Sequence, residues 1–111
     1  MQSNSTERKK MKPTFDQYYE GFGAELECPA CHGNHLHHVK VEVFDRSEDQ
    51  PDGIHVVVGH QDVRVDKVLT GNPSSRRHGL KIYLECEQCE AKPVMVLAQH
   101  KGQTYIDVRT Q

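Results

Sequence analysis

The segment 27-ECPACHGNHLHH-38 decides how the rest of the chain is read, because its core fits three kinds of site. Cys28-Pro-Ala-Cys31-His32 matches the C-x-x-C-H attachment signature of c-type haem, while C-P-x-C also occurs in thioredoxin-like redox sites and in zinc-binding turns. A second pair, Cys86 and Cys89, follows after 54 intervening residues. All four cysteines of the chain therefore fall into two C-x-x-C pairs.

The second pair favours zinc over the other interpretations. Haem attachment would leave Cys86 and Cys89 unexplained, and a thioredoxin-like site needs a helix where Gly33 and a strand pattern follow. A disulfide between the pairs would require an oxidising compartment. Four thiolates around one ion account for both pairs, and the long loop between them is no obstacle because loop-closure entropy rises only slowly with length. We therefore expect one structural Zn²⁺ and no haem, with ligands Cys28, Cys31, Cys86 and Cys89.

Length and composition limit the size of the hydrophobic core. The 111 residues suffice for one domain, aromatic residues make up 6% and tryptophan is absent. A chain of this size with few large apolar residues gains stability from a bound structural metal. The first 14 residues are charged with no apolar run behind them, and no later segment is long and apolar enough to span a membrane. We therefore expect a cytoplasmic protein with no membrane partner.

Charge is distributed unevenly around the formal net charge of −2. Residues 1–12 carry +3, residues 13–53 carry −7 and residues 54–111 carry +2. An overall basic surface, the usual mark of a nucleic-acid-binding protein, is missing, so any such binding must be local. We interpret residues 1–12 as a disordered basic tail and residues 13–111 as a single domain.

Alternating apolar and polar residues predict a small β-rich fold. Before the first cysteine pair, residues 13–21 (PTFDQYYEG) fit a short helix with Thr14 as its N-cap. Aromatic residues at 15, 18, 19 and 22 are expected to cover one face of the domain. In the third strand, Val63 and Val65 are expected to point inward. Six strands are predicted, over residues 38–44, 54–59, 62–69, 80–86, 93–100 and 104–109.

The two cysteine pairs resemble those of the zinc-ribbon class of domains. C-P-A-C and C-E-Q-C, each expected in the turn of a β-hairpin, carry this resemblance over residues 24–44 and 80–109, with a β-hairpin region inserted between them. The wider pattern, ending in 98-AQHKGQTY-105, is similar to small uncharacterised zinc-ribbon proteins of bacteria and their mobile elements. The resemblance implies a structural metal in a binding module, often one for nucleic acid or protein. It does not imply an enzyme, and we expect a non-enzymatic protein. One departure is that His32 and Glu90 stand where such turns usually have glycine.

The loop 71-GNPSSRRHG-79 is the candidate nucleic-acid contact. Arginines, hydroxyls and a histidine between glycines could hold a phosphate backbone, although a solvated turn is the plainer interpretation. The acidic loop 45-DRSEDQPDG-53 lacks the pattern of a calcium-binding EF-hand and is interpreted as a solvated connection. The candidate nucleic-acid-binding residues are Ser74, Ser75, Arg76, Arg77 and His78.

The histidines beside the first cysteine pair suggest a weaker hypothesis. A zinc-dependent hydrolase would need three ligands, an open position and a carboxylate base, and no histidine motif of that kind is present. We interpret His32, His35, His37 and His38 as exposed neighbours of the metal. The sequence therefore predicts a zinc-stabilised module that contacts nucleic acid or, alternatively, a protein-interaction or regulatory module such as an inhibitor encoded by a mobile element.

Overall fold

Strands make up the regular structure of the described chain. The computed structural model describes residues 10–110, with side chains described for residues 12–110. Within this range there are nine strands and no helix. No helix able to cross a membrane is found in this range. The strands are β1 Lys10–Met11, β2 Phe15–Tyr19, β3 Gly23–Leu26, β4 Leu36–Asp45, β5 Ile54–Gly59, β6 Asp62–Asp66, β7 Gly79–Cys86, β8 Pro93–His100 and β9 Gln103–Thr110.

Seven of the strands form one antiparallel sheet, in the order β1-β9-β8-β7-β4-β5-β6, and β2 and β3 form a separate two-stranded sheet. The middle strand, β7, pairs with β8 on one side and with β4 on the other. The predicted bounds of β5 and β8 are confirmed, and the alternating patterns at 38–44, 80–86 and 104–109 are confirmed as the cores of longer strands. β6 is shorter than predicted because pairing with β5 ends at Asp66.

Strand register gives the large sheet two chemically different faces. Residues directly opposite each other on paired antiparallel strands share a face, and alternate residues along a strand face opposite ways. The first, here the polar face, carries Lys40, Glu42, Phe44, His55, Val57, Arg64, Asp66, Lys81, Tyr83, Val94, Val96, Tyr105, Asp107 and Arg109. The second, here the valine face, carries Val41, Val43, Ile54, Val56, Val58, Val63, Val65, Leu80, Ile82, Met95, Leu97 and Ile106.

Much of the buried apolar material lies on the polar face. Phe44 is 1%, Val96 2% and Val94 3% exposed. Each of these valines is flanked in the sheet by residues with longer polar side chains; Val96, for example, lies between Lys81 and Asp107. The methylene stems of such side chains can cover apolar neighbours while their polar ends stay in water.

The valine face is the more exposed one, which corrects the prediction for the third strand. Val63 and Val65, expected to point inward, are 59% and 66% exposed. The alternation was interpreted correctly, but the described part of the chain supplies no second layer to cover this side of β5 and β6. An alternating pattern identifies the apolar face of a strand but not whether anything packs on it.

The predicted helix over residues 13–21 is wrong: this stretch enters the β2–β3 hairpin. The Phe22 N–H donates to the Tyr19 carbonyl at 2.9 Å, and Gly21 within this turn has φ +90°. A turn with positive φ at its third position is of type II and favours glycine there, so Gly21 closes a hairpin rather than ending a helix.

The aromatic residues of this hairpin do not cover the domain as expected. Phe22 is 95% exposed, Tyr18 75%, Phe15 48% and Tyr19 41%. A two-stranded hairpin has no core of its own, so side chains that meet no third element stay in solvent. The predicted tail is also shortened, because Lys10–Met11 pairs with β9; residues 1–9 and 111 lie outside the described residues.

Candidate metal centre

Four cysteines from distant parts of the chain meet at one end of the large sheet. Their sulfur atoms all lie within 4.8 Å of one another. The Cys28 and Cys89 sulfurs are 3.7 Å apart, and those of Cys31 and Cys86 are 3.6 Å apart. A tetrahedral ion with Zn–S bonds of about 2.3 Å requires sulfur separations of about 3.8 Å. The four cysteines can therefore hold one metal ion, and both the spacing and the donor set suit zinc.

The second knuckle, the turn Cys86–Cys89, is built on the large sheet as predicted. It lies at the tip of the hairpin that β7 and β8 form. At its base the Cys86 N–H donates to the Ala91 carbonyl at 3.3 Å. Since the ladder between Tyr83 and Val94 leads directly into this turn, the sheet itself holds Cys86 and Cys89 in place.

The first knuckle, the turn Cys28–Cys31, does not join two strands of one hairpin, which corrects the prediction. It connects β3 of the small sheet to β4 of the large sheet. The Cys28 N–H donates to the Gly33 carbonyl at 2.7 Å, and the His32 N–H donates to the Cys28 carbonyl at 2.8 Å. Beyond it, Leu36 pairs with Cys86, so the two knuckles meet where β4 and β7 run side by side.

All four sulfurs accept a backbone hydrogen bond from the residue two positions further on. The donors are the N–H groups of Ala30, Gly33, Gln88 and Ala91, with N···S distances of 3.3 to 3.4 Å. Such bonds orient thiolates and disperse their negative charge. The repetition in both knuckles gives the site an approximate twofold pattern although the surrounding strands differ.

The missing knuckle glycines have different consequences in the two turns. His32 takes φ +64°, the left-handed conformation that glycine adopts at low cost. Glu90, at the equivalent position, is not in the positive-φ region. The first knuckle therefore keeps the left-handed backbone conformation that is usual for glycine, although the residue there is histidine. The second knuckle does not adopt this conformation at Glu90.

The pKa values of two thiols in the cluster shift in opposite directions. Burial raises the pKa of Cys86, but the N–H of Gln88 and the neighbouring thiols outweigh that effect and bring it to about 7. For Cys89 the N–H of Ala91 lowers the pKa, while burial and the other thiols raise it to about 12. One thiolate thus makes a second one harder to form, and a divalent ion at the centre removes that repulsion.

The rival interpretations of C-P-A-C-H fit this geometry less well. Sulfur separations of 3.6 and 3.7 Å are those of metal ligands rather than of a disulfide, which has an S–S bond of about 2.05 Å. The sulfurs of Cys28 and Cys31 lie against those of the second pair. They do not face a shared site with His32, as attachment of a haem would require. A strand, β4, follows the pair where a thioredoxin-like site has a helix.

The histidines near the knuckle do not assemble into a second site. Within the described side chains, the cysteines form the one cluster of three or more possible metal ligands. His37 lies 3.3 Å from a Glu87 carboxylate oxygen, and His32 lies 3.8 Å from one of Glu27. His35 and His38 are exposed. The ligand set that the hydrolase hypothesis requires is not assembled among these residues.

The loop over residues 71–79 uses several of its candidate groups internally. Arg76 donates to both carboxylate oxygens of Asp49, at 2.9 and 2.7 Å, and approaches Glu48 at 3.4 Å. His78 Nδ1 accepts from the Arg46 N–H at 3.0 Å. The loop is therefore joined to the acidic loop over residues 45–53.

Ser74 has a structural role within the same loop. It is 4% exposed, and its hydroxyl donates to the Gln99 carbonyl at 2.7 Å while accepting from the N–H groups of Arg76 and Arg77. Ser75 and the Arg77 side chain are exposed. Of the five predicted contact residues, these two are the ones left facing solvent without a described side-chain hydrogen bond.

A polar cluster centred on His55 was missed by sequence reasoning. His55 is 8% exposed, its ring Nδ1 lies 2.8 Å from Asp66 and its Nε2 lies 2.8 Å from Glu42. It also stacks on Phe44 with centroids 4.6 Å apart, and Glu42 accepts a further bond from the Tyr83 hydroxyl. The polar residues come from four strands, so no local sequence signal marks the cluster.

Charge pairing raises the pKa of His55. Burial lowers the pKa, but the hydrogen bonds to Asp66 and Glu42 outweigh burial and raise it above the ordinary 6.5. For Glu42, burial raises the pKa, while the bonds from Tyr83 and His55 lower it overall. The backbone N–H of Val68 and the bond from His55 lower the pKa of Asp66. These contacts favour the protonated form of His55 and the ionised forms of Glu42 and Asp66.

Comparison with family models, with curated proteins and with solved structures finds no match to this chain. The geometry of the four cysteines in the two C-x-x-C pairs is compatible with a zinc ribbon.

Proposed function

We propose that this protein is a non-enzymatic, zinc-stabilised protein-interaction module in which the β2–β3 hairpin recognises the partner. The observation that carries the proposal is the exposure of four aromatic side chains on this one short hairpin. Exposed aromatic residues are typical of interface hot spots, where they combine large area with few rotatable bonds. A single structural Zn²⁺ held by the four cysteines supports the element that presents them.

The metal site and its surroundings anchor the hairpin. The first knuckle follows β3 directly, and the Glu27 N–H donates to the Thr14 carbonyl at 2.8 Å. Across the knuckle, the Asn34 side-chain amide donates to a Glu25 carboxylate oxygen at 2.8 Å. Because isolated two-stranded hairpins are marginally stable, these contacts and the metal would limit the entropy that the hairpin loses on binding.

Charge indicates the chemistry of the partner. Residues 15–27 contain four acidic residues and no basic ones, and four thiolates around Zn²⁺ add a further charge of −2 beside them. An aromatic surface with this potential suits a protein segment that combines basic and apolar side chains. It disfavours a phosphate backbone, which would be repelled.

A displayed library of short random peptides, selected on the immobilised zinc-loaded protein, tests the proposal. We expect enrichment of sequences with arginine or lysine next to apolar residues, and loss of their binding in a Tyr18→Ser/Phe22→Ser variant. Tyr105→Ser removes a similarly exposed tyrosine from the large sheet and should bind like the wild type. Absence of enrichment, or binding that does not depend on the hairpin, would overturn the proposal.

Nucleic acid is the alternative binding partner, and its binding can be tested with the same protein. Fluorescently labelled single-stranded and duplex DNA at low salt serve as probes, with Arg76→Ala/Arg77→Ala as the variant. Binding that weakens steeply with salt and is lost in this variant would favour the predicted basic loop as the contact surface over the hairpin. We expect no such binding, since Arg76 is paired with Asp49 and Glu48.

A further inference from the structure

We propose that the valine face packs against the valine face of a second copy, so that the protein is a homodimer with a two-layered β-sandwich at its centre. This inference is independent of the proposed function, because the valine face and the aromatic hairpin belong to different sheets.

The valine face is uniformly apolar across six strands. Its twelve positions from β4 to β9 carry valine, leucine, isoleucine or methionine and no charged or hydrogen-bonding side chain. Polar residues appear on this side only where the strands end, as with Asp45, Gln99 and Thr104. An apolar centre inside a polar rim is the usual anatomy of a protein–protein interface.

Exposure shows that the described part of the chain leaves this surface uncovered. Val58, Val63, Val65, Ile54 and Ile106 are between 43% and 66% exposed. Positions nearer the middle, such as Val41 and Ile82, are only half-buried. On the same side, the residues that are buried lie towards the cysteine end: Leu84 is 7% and Val108 1% exposed.

The nine residues before β1 do not suit this surface. Residues 1–9 read MQSNSTERK, with methionine as the one apolar side chain among nine. Such a segment cannot replace water over a dozen aliphatic side chains. These nine residues therefore do not supply a covering layer, and because the face has no charge to pair, whatever covers it must also be apolar and uncharged.

A second copy meets these requirements. Each sheet needs another layer on its apolar side, and two identical faces related by a twofold axis supply that layer to each other, about 10 Å apart. The dimer would also explain why strands of this composition alternate so regularly. The aliphatic residues would be buried, as an alternating pattern normally indicates, but between chains rather than within one.

The size of the face is adequate for such an interface. Six strands about 4.8 Å apart, each with about 17 Å of face, give a projected area of roughly 400 Å² per copy before the relief of the side chains is added. Two such faces approach the total of about 1,000 Å² at which specific interfaces begin. A face of this size is comparable to the largest apolar patch of a typical monomeric protein, and such patches are often functional.

Sedimentation equilibrium of the full-length zinc-loaded protein at micromolar concentration tests the proposal. We expect a mass twice the 12.7 kDa of one chain. In a Val58→Lys/Val63→Lys variant we expect the dimer dissociation constant to rise by roughly 100-fold or more, because each lysine enters a symmetric interface twice and has no partner there. Both positions are exposed in the single chain, so the variant should fold.

Two further variants separate this interface from other modes of association. Ile106→Lys, at the opposite end of the valine face, should also produce monomers. Agreement between the two variants would show that the loss of the dimer does not come from misfolding of the first one. Tyr105→Lys places the same charge on the neighbouring residue of β9 but on the polar face, and it should remain dimeric. A monomeric wild type, or a dimer that survives the lysines on the valine face because it pairs through the β6 edge, would overturn the proposal.

Discussion

The cysteine cluster and the His55 cluster hold the molecule together by opposite electrostatic means. In the first, four groups that become anions on ionising lie within 4.8 Å of one another. In the second, a histidine lies 2.8 Å from each of two carboxylates. Four ionised cysteines would need a foreign cation to balance their charge, whereas a protonated His55 balances its two carboxylates from within the chain.

The difference shows how a chain with little apolar material can be stabilised. Both clusters join strands that are distant in sequence, and both place interacting polar groups where a larger protein would have aliphatic contacts. We expect the first to make stability depend on metal and the second to make it depend on pH. Experiments that vary one condition at a time should therefore separate the two contributions.

Metal removal is expected to have the largest effect. A strong chelator under reducing conditions, or Cys28→Ser, should abolish the cooperative thermal transition followed by circular dichroism, because metal binding supplies folding free energy to a lean domain. Elemental analysis should find one zinc per wild-type chain. His35→Ala changes an exposed histidine beside the knuckle and should keep both the metal and the melt. An unchanged melt after complete metal loss would show that the metal is not structural.

Removal of the histidine at the centre of the second cluster is expected to have the next largest effect. His55→Ala leaves Glu42 without one of its partners and Phe44 without its stacking neighbour, so the free energy of unfolding in urea should fall by about 2–3 kcal/mol. Zinc content should not change. His60→Asn removes a histidine from the β5–β6 turn, where φ is +53° and asparagine is tolerated, and should cost little.

The pH dependence of stability should come from the same cluster. The pKa of His55 is raised, so its contribution is complete below about 6.5 and is lost as pH rises through the higher folded-state value. The pKa values of Glu42 and Asp66 are lowered, so their contribution is present above their ordinary values and is lost in acid. Stability from this cluster should therefore be greatest between about pH 4.5 and 6.5.

Urea denaturation of the wild type, His55→Gln and His60→Asn between pH 6 and 9 measures this effect. The difference in unfolding free energy between the wild type and His55→Gln should shrink as pH rises, with zinc still bound. His60→Asn should follow the wild type throughout. A difference that stays constant over this range would mean that the imidazolium does not form.

The smallest expected effect compares the two knuckles. His32→Gly should stabilise the protein by about 0.5–1 kcal/mol, because glycine adopts positive φ without the steric cost that a side chain incurs. Glu90→Gly should destabilise it by a similar amount, since Glu90 has no such conformation to relieve and glycine loses more backbone entropy. Thermal melts of the zinc-loaded variants measure both, and equal effects of the same sign would contradict the comparison.

Local patterns account for what could be predicted. Patterns of apolar residues located the cores of six of the nine strands, and the two C-x-x-C spacings identified all four residues of the cysteine cluster. Prediction was wrong for residues 13–21, where Thr14 and Gly21 match a helix cap and stop as well as they match a hairpin. It also placed the first knuckle in a hairpin, because nothing local indicates that β3 pairs with β2 rather than with β4.

The four clustered cysteines and the alternation of the strands follow from residue type and from spacings of two or three residues. Packing of the folded chain, in contrast, brings Arg76 to Asp49, places His55 between two carboxylates and leaves the aliphatic side of β5 and β6 uncovered. These features arise where segments far apart in sequence pack together, and side-chain periodicity contains no information on which segments meet.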